Sequence, residues 1–146
     1  MTCRAAVARC IGLTGTVPPS LPTGTRALAA SFTVSGVVHL VRPQVFDPLV
    51  PRALPAPRAL VYASGVAELA CAAGLLARRR WAPRASAALL VAVWPGNAQH
   101  AVSTQRSRRA SPAVKAAVWA RLPLQLPLIR TALRSPTVLP GERAGR

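Results

Sequence analysis

The chain has 146 residues, enough for one domain with a single core, and nineteen Lys and Arg against three Asp and Glu give it a net charge of +16 although 51% of its residues are hydrophobic. That hydrophobicity excludes a disordered chain, and nine glycines with three cysteines exclude a collagen-like repeat or a disulfide framework. A basic chain of this kind either binds nucleic acid or fastens apolar helices at a membrane surface, and the placement of the charges separates the two.

Residues 1–25 read as a disordered tail. Arg4 and Arg9 precede a Gly/Thr/Pro stretch through Pro18, Pro19 and Pro22, and Ile11 to Val17 is too short and too polar for a secretory signal core. The domain is expected over residues 26–134. Its first helix is the uncharged run Ala27 to Val41, extendable by a turn through Thr23 to Arg26. Arg42 to Arg58 carries Pro43, Pro48, Pro51, Pro55 and Pro57, a density that forbids a helix and predicts an ordered, extended loop.

The second helix is Ala59 to Ala77, whose only charge is Glu68, and it ends at the basic turn Arg78-Arg79-Arg80-Trp81-Ala82-Pro83-Arg84. The third, Ala85 to Gln105, has no charged residue, and Pro95 and Gly96 predict a kink because proline leaves the Val91 carbonyl unpaired. After the basic turn Arg106 to Pro112, the fourth helix covers Ala116 to Leu133, interrupted by Arg121 and Arg130 and made irregular by Pro123 and Pro127. Pro136, Pro140, Gly141 and Gly145 mark residues 135–146 as a second tail.

These runs approach the roughly 20 apolar residues that cross a bilayer. The predicted fold is therefore all-α, an integral membrane four-helix bundle whose partner is the lipid bilayer. Arginines flank the runs and do not interleave with aromatics, and two Phe, one Tyr and three Trp offer little stacking surface, so nucleic acid is not an expected partner. All basic residues but Lys115 are arginine, which in an Ala- and Pro-rich chain points to GC-rich coding as one source of the charge. Four passes put both termini on one side. Ten basic residues there against seven on the other predict cytoplasmic termini in a bacterial inner membrane.

Polar side chains within the runs fall on helical stripes: Ser31, Ser35 and His39; Ser64, Gly65 and Glu68 with Cys71 a turn on; Asn97, His100 and Thr104; Arg121 and Gln125. Such groups are costly in a bilayer and turn inward to find partners. The candidate site residues are His39, Ser64, Glu68, Asn97, His100, Arg121 and Gln125. One reading pairs Glu68 with Arg121 as a packing ion pair, with the histidines and Asn97 as hydrogen-bonding glue. The other lines a small-molecule or quinol-head-group pocket with the same residues. His39, His100 and Glu68 have the composition of a two-His, one-carboxylate set, but no spacing motif supports a metal site and none is assigned. No catalytic residue is assigned either. Cys3 and Cys10 lack a CxxC spacing, and Cys71 sits in an apolar run as a small hydrophobe.

The run S-G-V-V-H at Ser35 to His39, the loop positions Pro43, Phe46, Asp47, Val50, Pro51, Leu54 and Pro55, Y-A-S-G-V-A-E-L at Tyr62 to Leu69 followed by Gly74-Leu75-Leu76, V-W-P-G-N at Val93 to Asn97 and A-R-L-P-L-Q at Ala120 to Gln125 together resemble the DoxX-like family of small bacterial membrane proteins. The resemblance spans about residues 26 to 134. It implies a four-helix inner-membrane bundle, and some relatives are named as subunits of quinone-linked thiosulfate oxidation or as partners in thiol-redox systems. Trp94 and Gly96 depart from the Phe and Ala common there. The function it implies is an accessory or redox-associated membrane component with a membrane or periplasmic redox partner, more an auxiliary than a self-sufficient enzyme. The alternatives are a quinone-interacting oxidoreductase subunit, with quinone as cofactor, and a structural or chaperone-like membrane partner.

Overall fold

The computed structural model describes residues 20–51 and 54–138. Five helices follow in order: α1 (Thr23–Val41), α2 (Pro57–Leu76), α3 (Ala82–Ala92), α4 (Trp94–Arg106) and α5 (Pro112–Leu133). Two short 3₁₀ turns, Pro43–Val45 and Asp47–Leu49, lie between α1 and α2. Among the described residues there is no strand, so the all-α expectation holds. The readings of residues 1–19 and 139–146 as tails lie outside the described residues. Helix α1 starts at Thr23, within the stretch assigned to the first tail, so the extra turn through Arg26 is formed.

Proline places most of these boundaries. Pro57, Pro83, Pro95 and Pro112 each stand in the first turn of a helix, where the missing N–H would have had no intrahelical partner. Helix α5 is also capped by Ser111, whose hydroxyl accepts from the Val114 N–H at 3.3 Å. The stretch Ala85 to Gln105, expected as one kinked helix, is two: α3 ends at Ala92, Val93 stands between, and α4 restarts at Trp94. Backbone bonding resumes where Asn97 N–H reaches the Val93 carbonyl at 3.1 Å. Pro95 cannot donate back to Val91, which is why the ladder opens here. The loop after α1 is likewise more compact than the expected extended chain. A proline stands first or second in each 3₁₀ turn, and its fixed φ suits a tight turn as well as an extended segment.

Around the bundle α1 packs on α2 over the most extensive interface, α2 on α3, α3 and α4 on α5, and α5 returns to α1. The core is made of Leu28, Ala29 and Phe32 from α1, Cys71, Ala72 and Leu75 from α2, Ala82, Ala87 and Leu90 from α3, and Ala132 from α5. Many of these are small, so the helix axes come close. Beyond α5, where the sequence suggests a tail, Ser135 is buried: it accepts from the Thr25 hydroxyl at 3.1 Å and donates to the Thr131 carbonyl at 3.0 Å. Three residues on, the Val138 N–H donates to the Arg78 carbonyl at 3.1 Å.

Two non-glycine residues sit in the left-handed region. Arg78, at φ 51°, ends α2 in a Schellman turn in which Arg79 N–H bonds the Gly74 carbonyl and Arg78 N–H the Leu75 carbonyl. Ala56, at φ 50° and ψ 60°, turns the loop into α2. A left-handed alanine costs about 1–2 kcal/mol, of which glycine returns some as unfolded-chain entropy. Ala56→Gly is therefore expected to stabilise the protein by about 0.5–1 kcal/mol, seen as a higher Tm; an unchanged or lower Tm contradicts the strain.

Candidate functional site

The first polar group forms where α1 crosses α2. Gly36 and Gly65 set the spacing: a Cβ on Gly36 would lie 2.8 Å from the Gly65 carbonyl oxygen, and one on Gly65 would lie 2.7 Å from the His39 Cβ. Three residues beyond each glycine, one turn along the same face, stand His39 and Glu68. Both are buried. The His39 Nδ1–H donates to the Ser35 carbonyl at 2.8 Å, and Glu68 Oε2 lies 3.5 Å from the same nitrogen. The proton on Nδ1 is directed at the carbonyl, so Oε2 has the imidazole beside it yet no hydrogen bond from any described group. The ring is covered by Phe46, stacked with centroids 3.7 Å apart and planes 17° from parallel.

Phe46 is held there by the residue after it. Asp47 takes the Arg58 Nε–H on both carboxylate oxygens, at 3.0 and 2.9 Å, tying the 3₁₀ segment to the first turn of α2. The pair is largely exposed, so solvent screens it and it adds little to stability. Its value here is positional, since it fixes the loop that carries Phe46. Ser64 lies half-buried beside Gly65 without entering these contacts.

The second group joins α3, α4 and α5. Asn97 Nδ2 donates to Gln125 Oε1 at 3.2 Å, and Gln125 Nε2 donates to the Leu90 carbonyl in the last turn of α3. Gln125, 4% exposed, thus bridges the two sides of the helix break, which explains a buried amide on an otherwise apolar helix. The backbone of α2 stays more than 8 Å, Cα to Cα, from those of α4 and α5, so the two groups sit in separate parts of the bundle.

The expected Glu68–Arg121 ion pair is not formed. Arg121 is exposed and stands in electrostatic reach of His100, which is half-buried on α4, whereas Glu68 faces His39 across the α1–α2 crossing. Glu68 and Arg121 are isolated charges in the sequence, but they stand on helices whose backbones are not neighbours. Among the described residues no three His, Cys, Asp or Glu side chains gather in a metal-binding group, so His39, His100 and Glu68 do not assemble as ligands. Phe46 was not among the candidate residues. Its signal was present in the loop motif that joins Phe46 to Asp47, although no helical spacing could relate it to His39.

A family model matches residues 28–135, from the second turn of α1 to the buried Ser135, and describes a domain of unknown function, DUF8561. The chain belongs to the DUF8561 family. The DUF8561 domain contains both polar groups, and its end at Ser135 coincides with the residue that closes α5 onto α1. No curated protein and no solved structure matches the chain.

Proposed function

We propose that the protein is a small multi-pass component of the bacterial inner membrane, DoxX-like in architecture, with both termini cytoplasmic and an accessory or redox-associated role. The observation that carries this is the inverted polarity of the helices. From Ala59 to Leu76 every exposed position of α2 is apolar apart from Tyr62, while its one charge, Glu68, is buried. Helix α1 follows it in part, with Val34, Val37 and Val41 outward and His39 inward, although Ser31 and Thr33 are exposed as well. Between Arg121 and Arg130, Leu124, Leu126 and Leu128 face out and Gln125 faces in. In water, apolar surface of this extent costs about 25 cal/mol per Å² left unburied. In hydrocarbon the same arrangement is the stable one, because only the polar groups need the interior.

By length and apolarity one described helix, α2, is suited to cross a membrane by itself. The break at Val93 leaves α3 and α4 with 11 and 13 residues, so the third pass of this reading is a joint one across the break. The motif resemblance at Ser35 to His39, Tyr62 to Leu69 and Val93 to Asn97 supports the same architecture. A quinone-interacting role is the second reading, favoured by one observation: Glu68 Oε2 is a buried acceptor lacking a donor, beside an imidazole and an aromatic ring, and suits a hydroxyl-bearing ring head group.

Carbonate washing of membranes tests the first reading. The protein is expected to remain in the pellet and to enter solution only with detergent; recovery as a folded monomer from buffer alone overturns it. Quinone in an organic extract of the detergent-purified protein, and its loss in Glu68→Gln, separates the second reading from a purely accessory role.

A further inference from the structure

The end of the bundle opposite the His39 loop carries a feature that neither polar group uses. A cleft of about 490 Å³ opens there between the first turn of α3 and the segment after α5, lined by Arg80, Pro83, Arg84, Leu133, Ser135 and Thr137. Its volume falls within the roughly 300–1,000 Å³ of small-molecule sites. Its lining is mixed: two arginines, two hydroxyl-bearing residues, a proline and the exposed Leu133.

Charge indicates what fits. The chain has three acidic residues, of which the described ones are Asp47 and Glu68. Asp47 pairs with Arg58 and Glu68 faces His39, both in other parts of the fold. Among the described residues neither Arg80 nor Arg84 forms an ion pair. Planar guanidinium forks take phosphate oxygens in charge-assisted pairs, and Thr137 adds a hydroxyl to the same lining, whereas the Ser135 proton is already given to the Thr131 carbonyl. The cleft floor is also built. Ser135 is 7% exposed and held on Thr25 and Thr131, and the backbone bond from Val138 to Arg78 keeps the two walls together.

We propose that this cleft binds a phosphate group, presented by the headgroup of an anionic phospholipid. The exposed Leu133 gives the acyl side of such a lipid an apolar border, while the arginines take its phosphate. The lipid source rests on the membrane reading; the phosphate chemistry does not.

The test uses the full chain purified in a neutral detergent, with binding followed by native mass spectrometry and by the shift in melting temperature. Phosphatidylglycerol is expected to bind and raise Tm, and phosphatidylcholine to do so far less, because the second lipid brings a compensating cation. Arg80→Gln and Arg84→Gln are each expected to weaken phosphatidylglycerol binding about tenfold, the loss of one charge-assisted contact. Arg108→Gln with Arg109→Gln, in the other basic turn, serves as the control and is expected to leave binding within about twofold. Equal binding of the two lipids, or an equal loss in the control variant, overturns the proposal. Saturable binding of inorganic phosphate with no preference for the anionic lipid removes the lipid as the source and leaves a free phosphorylated ligand, an outcome that stands whether or not carbonate releases the protein from membranes.

Discussion

Gly65→Ala is expected to be among the most damaging single-methyl additions in the protein. The new Cβ would meet the His39 Cβ at 2.7 Å and the Gly36 carbonyl oxygen at 3.0 Å, distances at which something must move. Neither neighbour is the free end of a flexible side chain, so relief comes only by separating α1 from α2. Overpacking of this kind costs about 1–3 kcal/mol, and valine at the same position costs more. The same separation would lift His39 from Glu68, so lost stability and a disturbed polar group should appear together. Gly96→Ala is the matched control: its Cβ has only the Leu49 carbonyl oxygen nearby, at 3.4 Å, and helix propensity favours the alanine by up to about 1 kcal/mol. A thermal melt in detergent reads both. If Gly65→Ala melts with the native protein, the close crossing is not what holds α1 and α2.

A double-mutant cycle between His39 and Glu68 is expected to show strong coupling. Both groups are buried, with His39 Nδ1 and Glu68 Oε2 3.5 Å apart, so replacing either changes the surroundings of the other and the two losses should not add. His39→Gln with Glu68→Gln removes both and should cost less than their sum, giving a coupling above about 1 kcal/mol. The parallel cycle on Glu68 and Arg121 should fall within the roughly 0.5 kcal/mol of ordinary additivity, because Arg121 is exposed and forms no ion pair with Glu68. The reverse order, with Arg121 coupled and His39 not, would restore the Glu68–Arg121 pair and dismiss the arrangement described above.

The difference between these two cycles marks what the sequence could and could not tell. Spacing along one helix is legible. Ser35 and His39, or Ser64, Gly65 and Glu68, share a face whatever the helix packs against, whereas Ser31, on the same stripe as His39, is exposed. Proline is legible too, and Pro95 located the break, although a local rule could not say whether the ladder would bend or open. Which helix faces which is not local information. Arg121 and His39 were equally available partners for Glu68, and only the closeness allowed by Gly36 and Gly65 decides for His39. Phe46 escaped for a related reason: it comes from a loop, where no periodicity relates it to a helix, and it is placed by the Asp47–Arg58 link eleven residues long.

The Thr25–Ser135 contact joins residues 110 apart in sequence. It latches the first stave of the bundle to the segment that follows the last. Fraying usually starts at domain ends and costs little there. Here loosening the start of α1 withdraws the partner of Ser135, and loosening the end of α5 withdraws that of Thr25. The two ends therefore share one opening event, and the domain boundary lies within the cooperative unit.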